Sequence, residues 1–298
     1  MTELEVNNLT KLYDKKKLAL DSINFSVKLN GIFAIIGRNG AGKTTFLRIL
    51  ATQLLPTSGT VLVDGVDIIK EPGKIRERMA AVPQEARPVN WMTPQEMIFS
   101  YLLWRGYSYY EAKVKTSESL ATLEITEFAK KPNRTLSGGT KRKVLVATAI
   151  STEADIIFLD EPTTGLDPIS RQQIWSLLKR IKENKLIFLT THYLEEAEEL
   201  ADMIGILDGG KLMGLGTLSD FRSKVDFDTV VKIYKKIKLP PGLRGNIIYE
   251  VDGIHVYTDS HFAAELSESL LKEGIPFSVS PLTLQDIFFN VVHKNEEK

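Results

Sequence analysis

Gly37 to Thr44 reads GRNGAGKT, which fits the pattern G-x-x-x-x-G-K-[ST] and limits the fold of this chain more tightly than any other stretch. It follows Gly31 to Ile36, a short apolar run entered through an Asn30-Gly31 turn, and it leads into a helical stretch beginning near Lys43. Strand, glycine-rich loop and helix in that order let backbone N–H groups and a helix N-terminus converge on an anion. Gly37, Gly40 and Gly42 permit the sharp turn, and Arg38, Asn39 and Ala41 complete the loop. Lys43 would reach the β- and γ-phosphates of a nucleotide. The Thr44 hydroxyl would ligate Mg²⁺, and Thr45 can donate to a phosphate oxygen. A ligand-free glycine turn would leave a lysine and three glycines without a use. The loop therefore predicts a nucleotide site, and by itself it suits kinases, GTPases and motors equally.

The rest of the chain supplies the setting. Ile23, Phe25 and Val27 alternate with polar neighbours, as half-buried antiparallel strands do. From about Arg87 to Thr135 apolar residues recur at helical spacing, with Met97, Ile98, Tyr101 and Leu102 and later Leu120, Leu123 and Ile125, and this predicts a mostly helical insertion. Strands are expected again at Asp155 to Asp160, Leu186 to Thr190 and Met203 to Asp208, between helices at Ser170 to Lys182 and Leu194 to Leu200; that alternation implies a parallel sheet covered by helices. Past about Leu218 a different set begins. A strand from Thr229 to Ile237, a Pro240-Pro241-Gly242 turn, a hairpin closing on Asp252-Gly253, a helix from His261 to Lys272, a strand from Phe277 to Val279 and an amphipathic segment from Leu282 to Val292 predict a small α+β domain. The expected division is 1–218, with the helical part at about 87–150, and 219–298.

Ile156 to Glu161 reads IIFLDE, an apolar strand ending in two carboxylates. Many strands end in an aspartate for purely structural reasons. Behind a phosphate loop in a parallel-sheet chain, however, Asp160 stands where ligands collect and can hold Mg²⁺ through water. Glu161, one residue on, can take a proton from an attacking water or orient it.

Bulk properties exclude several classes of function. Lys plus Arg and Asp plus Glu are 38 each among 298 residues, so no global field draws the chain to nucleic acid or anionic lipid. The absence of cysteine excludes disulfides and thiolate metal sites. The polar start MTELEVNNLTKLYDKKK does not resemble a signal peptide, so the protein is expected to stay where it is made. The apolar runs are far shorter than the roughly 20 residues that cross a bilayer.

Leu136 to Gly139 reads LSGG, which alone is most simply a turn into a helix capped by Ser137. Its company gives it meaning. In chain order come the phosphate loop, Pro83-Gln84, LSGG, IIFLDEPTTGLDP at Ile156 to Pro168, and Thr190-Thr191-His192. This series resembles the ATP-binding subunits of ABC transporters, with Gln84 similar to the Q-loop glutamine, LSGG to the signature and His192 to the switch histidine. Tyr13 sits where that family has a residue stacking on adenine.

The resemblance implies an α/β P-loop NTPase fold of ABC type: a mixed sheet core with an antiparallel β subdomain and a helical subdomain, here with the small C-terminal α+β domain added. It implies ATP and Mg²⁺, catalytic roles for Lys43, Gln84, Glu161 and His192, and metal ligation by Thr44, Gln84 and Asp160. It also implies a head-to-tail pair, homodimer or paralogue, in which Ser137, Gly138 and Gly139 of one subunit meet the nucleotide on the other. On their own terms Ser137 and the amides after it form an anion site that lacks a lysine. His192 read alone would be a core histidine, and Asp167 either crosses that interface or is a turn residue before Pro168.

Two positions depart from the family. Thr140 stands where the signature has glutamine, which would weaken contact with the partner-bound nucleotide, and Glu153-Ala154 stands where a proline is frequent. Thr191 to Thr217 and the ending TLQDIFFNVV resemble the drug, antibiotic and lipid exporter branch. That implies an ATPase at the cytoplasmic face of the membrane, peripheral through an integral membrane permease. The aromatics of Trp91 to Tyr110 are the expected docking region, unless they fill the insertion's own core. A non-transport ABC ATPase acting on ribosomes or DNA would need tandem domains, a long coiled coil or a basic patch, none of which is visible. A regulatory subunit without turnover would not need Glu161 and His192.

Overall fold

Apolar and polar residues alternate through two long strands, β1 (Thr2–Tyr13) and β2 (Lys17–Leu29), which pair antiparallel with Leu4 opposite Val27 and Val6 opposite Phe25. The computed structural model describes residues 1–14, 17–225, 227–235, 237, 245–249 and 253–288. They fall into two units, Met1–Leu215 and Gly216–Lys298.

In the first unit the chain continues through β3 (Gly31–Ile36), α1 (Lys43–Leu50), β4 (Ser58–Val63), β5 (Val66–Asp67), α2 (Pro72–Arg76) and β6 (Met79–Val82). A helical stretch follows, with α3 (Pro94–Trp104), α4 (Tyr109–Thr122) and α5 (Gly138–Ile150). Then come β7 (Ile156–Asp160), α6 (Pro168–Ile181), β8 (Leu186–Thr191), α7 (Leu194–Leu200), β9 (Met203–Asp208) and β10 (Lys211–Gly216). The helices start where local chemistry dictates. Thr93 with Glu96 and Ser108 with Glu111 form reciprocal capping boxes for α3 and α4. Asp167 caps α6 with Pro168 at its first position, so this helix begins two residues before the expected Ser170.

Two sheets result. One has the order β2-β1-β4-β5; the other, β10-β9-β3-β8-β7-β6, is parallel from β9 to β6. β10 returns through Gly209-Gly210, both with positive φ, the two-residue turn that reverses a chain, so the larger sheet is mixed. Its central strands are apolar on both faces because each face has its own core. Ile157, Leu159, Ile187 and Leu189 join the core shared with α3 to α6, whereas Phe33, Phe158 and Phe188 join the core shared with α1 and the antiparallel sheet. Phe188 stacks on Phe158 at 5.1 Å and lies 5.4 Å from Phe33 between ring centroids, bridging three strands.

The second unit contains α8 (Leu218–Arg222), β11 (Thr229–Ile233), β12 (Asn246–Tyr249), β13 (Ile254–Thr258), α9 (Ser260–Lys272) and β14 (Phe277–Pro281). Its sheet, β12-β13-β11-β14, is antiparallel throughout, and α9 covers it by packing Ala263, Leu266 and Leu270 on Val231, Ile233 and Val256. β11 stops at Ile233, short of the expected Ile237, because both neighbours pair no further, with Ile254 and Phe277 opposite Ile233. Residues 284–288 are helical. The expected turn at Pro240-Pro241-Gly242, Asp252 of the hairpin and the end of the last segment lie outside the described residues.

Phe188 is almost fully buried, so Phe188→Ala is expected to lower unfolding free energy by about 3–5 kcal/mol in chemical denaturation. A loss below about 1 kcal/mol would show that the ring is not a structural anchor.

Candidate functional site

The loop after β3 takes its shape from crowding as much as from flexibility. Gly42 has φ 105°, and a Cβ there would lie 2.4 Å from the carbonyl oxygen of Ala19, so only glycine fits. Helix α1 starts at the next residue, and Gly42 offers no side-chain cap. The first-turn N–H groups, which have no acceptor within the helix, are thus left for an external anion. Lys43 is 5% exposed, and its Nζ donates to the carbonyls of Gly37 at 2.9 Å and Arg38 at 3.1 Å, 3.8 Å from Glu161 Oε1. Burial pushes the ammonium's pKa down, opposed by the carboxylates of Glu161 and Asp160. It rests on neutral carbonyls that a phosphate would outcompete.

Parallel pairing puts Asp160 at the end of β7 opposite Thr190 at the end of β8. Asp160 Oδ1 accepts from Thr190 Oγ1 at 2.5 Å and from Thr44 Oγ1 at 3.2 Å. Asp160 Oδ2 is buried and has no hydrogen-bond partner among the described residues. A free carboxylate oxygen beside a threonine hydroxyl is a hard oxygen donor set, which fits Mg²⁺. The described residues hold no group of three His, Asp or Glu able to bind a metal, so phosphate and water would have to complete a shell begun by neutral oxygens and one carboxylate.

Glu161 has φ 46°, a conformation costly for a residue with a Cβ. Its N–H donates to Thr190 O at 3.1 Å and Oγ1 at 3.0 Å, which anchors the turn. Its Oε2 accepts from Gln84 Nε2 at 2.9 Å and Thr164 Oγ1 at 3.0 Å. His192 Nδ1 stands 3.2 Å from the same oxygen without the alignment of a hydrogen bond. A buried carboxylate held on one oxygen, with its other oxygen toward a lysine, can receive a proton from a water that reaches it from the cleft.

Tyr13, Asn39, Gly40, Gly42, Lys43, Thr44, Thr45, Gln84, Glu161 and His192 line one cleft of about 580 Å³. The Tyr13 hydroxyl is 3.4 Å from Thr45 Oγ1. Gly37, Arg38 and Ala41 belong to the loop but not to the lining, and Ala41 packs into the core beneath. Ser137, Gly138 and Gly139 do not line this cleft. They form the start of α5, where Ser137 Oγ accepts from Thr140 N at 3.1 Å and lies 2.9 Å from Thr140 Oγ1. The two glycines differ. A Cβ on Gly139 would meet Ser170 Oγ at 2.5 Å, whereas one on Gly138 would meet nothing within 4 Å, so nothing in this chain's packing calls for glycine at 138. Asp167 is used locally, accepting from Ser170 N at 3.0 Å and Ser170 Oγ at 2.6 Å, which lowers its pKa.

Sequence reading missed Thr164, Thr190 as the bridge between Asp160 and Glu161, and Arg142. Thr190 could have been found from its pairing opposite Asp160. Arg142 carried no signal, because in Lys141-Arg142-Lys143 it looks like a solvated basic run, yet it is only 8% exposed.

Comparison with known proteins follows the same lines. A family model described as ABC transporter matches residues 20–164. The daunorubicin/doxorubicin resistance ATP-binding protein DrrA of Streptomyces peucetius is 35% identical over 223 residues, 74% of this chain and 67% of that protein. The linearmycin resistance ATP-binding protein LnrL of Bacillus subtilis (strain 168) is 35% identical over 231 residues, 77% of this chain and 74% of that one. The dimeric post-hydrolysis structure of the ATP-binding cassette MJ0796 bound to ADP and Pi superposes with TM-score 0.66 at 28% identity, covering 72% of this chain and 98% of that one.

The glycine contrast is measurable in thermal or chemical unfolding. Gly139→Ala is expected to cost about 1–3 kcal/mol by overpacking against Ser170. Gly138→Ala, in the first turn of a helix and in open space, is expected to be neutral or stabilising by up to about 1 kcal/mol. Equal losses at both positions would contradict this difference in packing.

Proposed function

Because the chain belongs to the ABC transporter ATP-binding family, we propose that its cleft hydrolyses ATP as one half of a head-to-tail pair and drives export through a separate membrane-spanning protein. The single observation that carries this reading is the convergence of Tyr13, the phosphate loop, Gln84, Glu161 and His192, from well-separated parts of the chain, on one cleft.

Phosphoryl transfer needs positioning and charge stabilisation more than covalent chemistry. The amides of the loop and the start of α1 bind the phosphates, and Lys43 leaves the Gly37 and Arg38 carbonyls for the β- and γ-phosphates. Tyr13 stacks on adenine. Thr44, Gln84 and Asp160 would hold Mg²⁺, which supplies neutralising charge at the phosphates. Glu161 accepts the proton of the attacking water while Gln84 and Thr164 fix its Oε2. His192, half-exposed beside that carboxylate, donates toward the γ-phosphate. Ser137, Gly138 and Gly139 serve the nucleotide held by the other subunit. In support, they lie off this chain's own cleft, Gly138 faces open space, and the similar cassette is dimeric.

The relatives' names point to a drug-like cargo, set by the partner. No helix among the described residues is long and apolar enough to cross a membrane. In this reading the path across the membrane belongs to a permease, with this chain at its cytoplasmic face. Trp91, Trp104, Tyr109 and Tyr110 are each at least 70% exposed, whereas Ile98 and Leu102 of the same helical stretch are buried. Trp104 and Tyr101 also line a groove with Arg76 and Arg105, and such an aromatic patch suits a membrane partner's cytoplasmic helix.

Glu161→Gln is expected to reduce ATP turnover by about 10²- to 10⁴-fold and to accumulate an ATP-bound dimer in size-exclusion chromatography. Undiminished turnover would remove Glu161 from its role. Affinity purification of the full chain from membranes is expected to recover a multi-span protein, and recovery with ribosomes alone would sink the transport reading.

A further inference from the structure

Arg142 lies on α5, shortly after the signature glycines, and is 8% exposed. Among the described residues its guanidinium meets no carboxylate at hydrogen-bond distance and instead donates to four backbone carbonyls. Nε donates to Pro162 O at 2.8 Å, Nη2 to Asp160 O at 2.8 Å and to Glu161 O at 3.0 Å, and Nη1 to Pro83 O at 3.4 Å. A buried cation satisfied only by neutral acceptors is costly, and burial lowers its pKa to about 10, which still leaves it charged near neutrality.

The choice of acceptors explains the cost. Three of them are consecutive, centred on Glu161 with its positive φ, at the point where β7 ends and its carbonyls lose strand partners. The fourth belongs to Pro83, next to Gln84, whose side chain donates to Glu161 Oε2. One planar fork therefore holds both the backbone that presents the carboxylate and the backbone that presents the amide touching it. A lysine ammonium has three donors on a flexible stem and cannot match that geometry.

We propose that Arg142 is a positioning residue for hydrolysis: its guanidinium holds the Asp160–Pro162 turn in the strained form that aims Glu161 at the attacking water, and it ties that aim to α5, which carries Ser137 to Gly139. The inference rests on the reading of Glu161 as the proton acceptor.

The test uses the full chain with Arg142→Lys and Arg142→Gln, each alone and combined with Glu161→Gln. Turnover is expressed per site that binds a non-hydrolysable ATP analogue. Nucleotide affinity is expected to stay within about twofold, while kcat per competent site falls by about ten- to a hundredfold, less for Lys than for Gln. The combined variants are expected to be no slower than Glu161→Gln alone, since a residue that acts through Glu161 has nothing left to position. Unchanged kcat per competent site, even with lowered melting temperature, would make Arg142 purely structural and overturn the proposal. A further, additive fall in the combined variants would also overturn it. If Glu161→Gln itself turns over normally, the reading beneath fails, whatever Arg142 does.

Discussion

The parallel register of β3, β8 and β7 is the constraint on which the site depends. Ile36 at the mouth of the phosphate loop pairs with Thr191, and Thr190 pairs with Asp160, so the ends of three strands lie side by side. From that alignment Thr190 can hydrogen-bond Asp160 and Glu161 together, and Thr44 at the start of α1 can reach Asp160. A slip of one residue in β8 would turn Thr190 to the other face and take from the buried Asp160 the shorter of its two hydroxyl donors. The Phe33, Phe158 and Phe188 rings, interleaved from the same three strands, oppose such a slip because each fills space that only this register leaves.

Charge is arranged around this point with little to spare. Lys43, Arg142, Asp160 and Glu161 are all buried, and they are kept soluble in the protein interior by one another and by backbone carbonyls. Such a cluster is expensive in the absence of ligand. In the proposed reading, an anionic nucleotide with its cation would change the balance: it would take Lys43 from the loop carbonyls and give the free oxygen of Asp160 a partner. Such a ligand would relieve polar groups that the protein alone leaves under-satisfied, as a preorganised site does.

The two glycines of the signature have different causes. Gly139 is needed by this chain, because α6 and Ser170 press against it; at Gly138 a Cβ would stand in open space among the described residues. The aromatics of the helical stretch divide in the same way. Phe99 and Tyr107 pack against the internal core, while Trp91, Trp104, Tyr109 and Tyr110 face outward.

Much of the architecture is legible in the sequence because its signals are local. Gly37 to Thr44 between a strand and a helix, the alternation in β1 and β2, and the capping residues before α3, α4 and α6 each act within a few residues. The expected strand to Ile237 failed for the opposite reason, since β11 ends where strands distant in sequence stop pairing with it. Of the residues flagged in the sequence as nucleotide-facing, Tyr13, Asn39, Gly40, Gly42, Lys43, Thr44, Thr45, Gln84, Glu161 and His192 share one cleft, whereas Gly37, Arg38, Ala41 and Ser137 to Gly139 do not line it. Only the tertiary structure decided that Arg142 leaves a basic run to hold the Glu161 turn, that Thr190 joins the two carboxylates, and that Glu161 takes a positive φ. These are consequences of which strand lies beside which and how closely helices approach, and no neighbouring residue along the chain encodes them. The sequence by itself determined what the phosphate loop binds; packing between distant segments decided how the other residues are aimed at it.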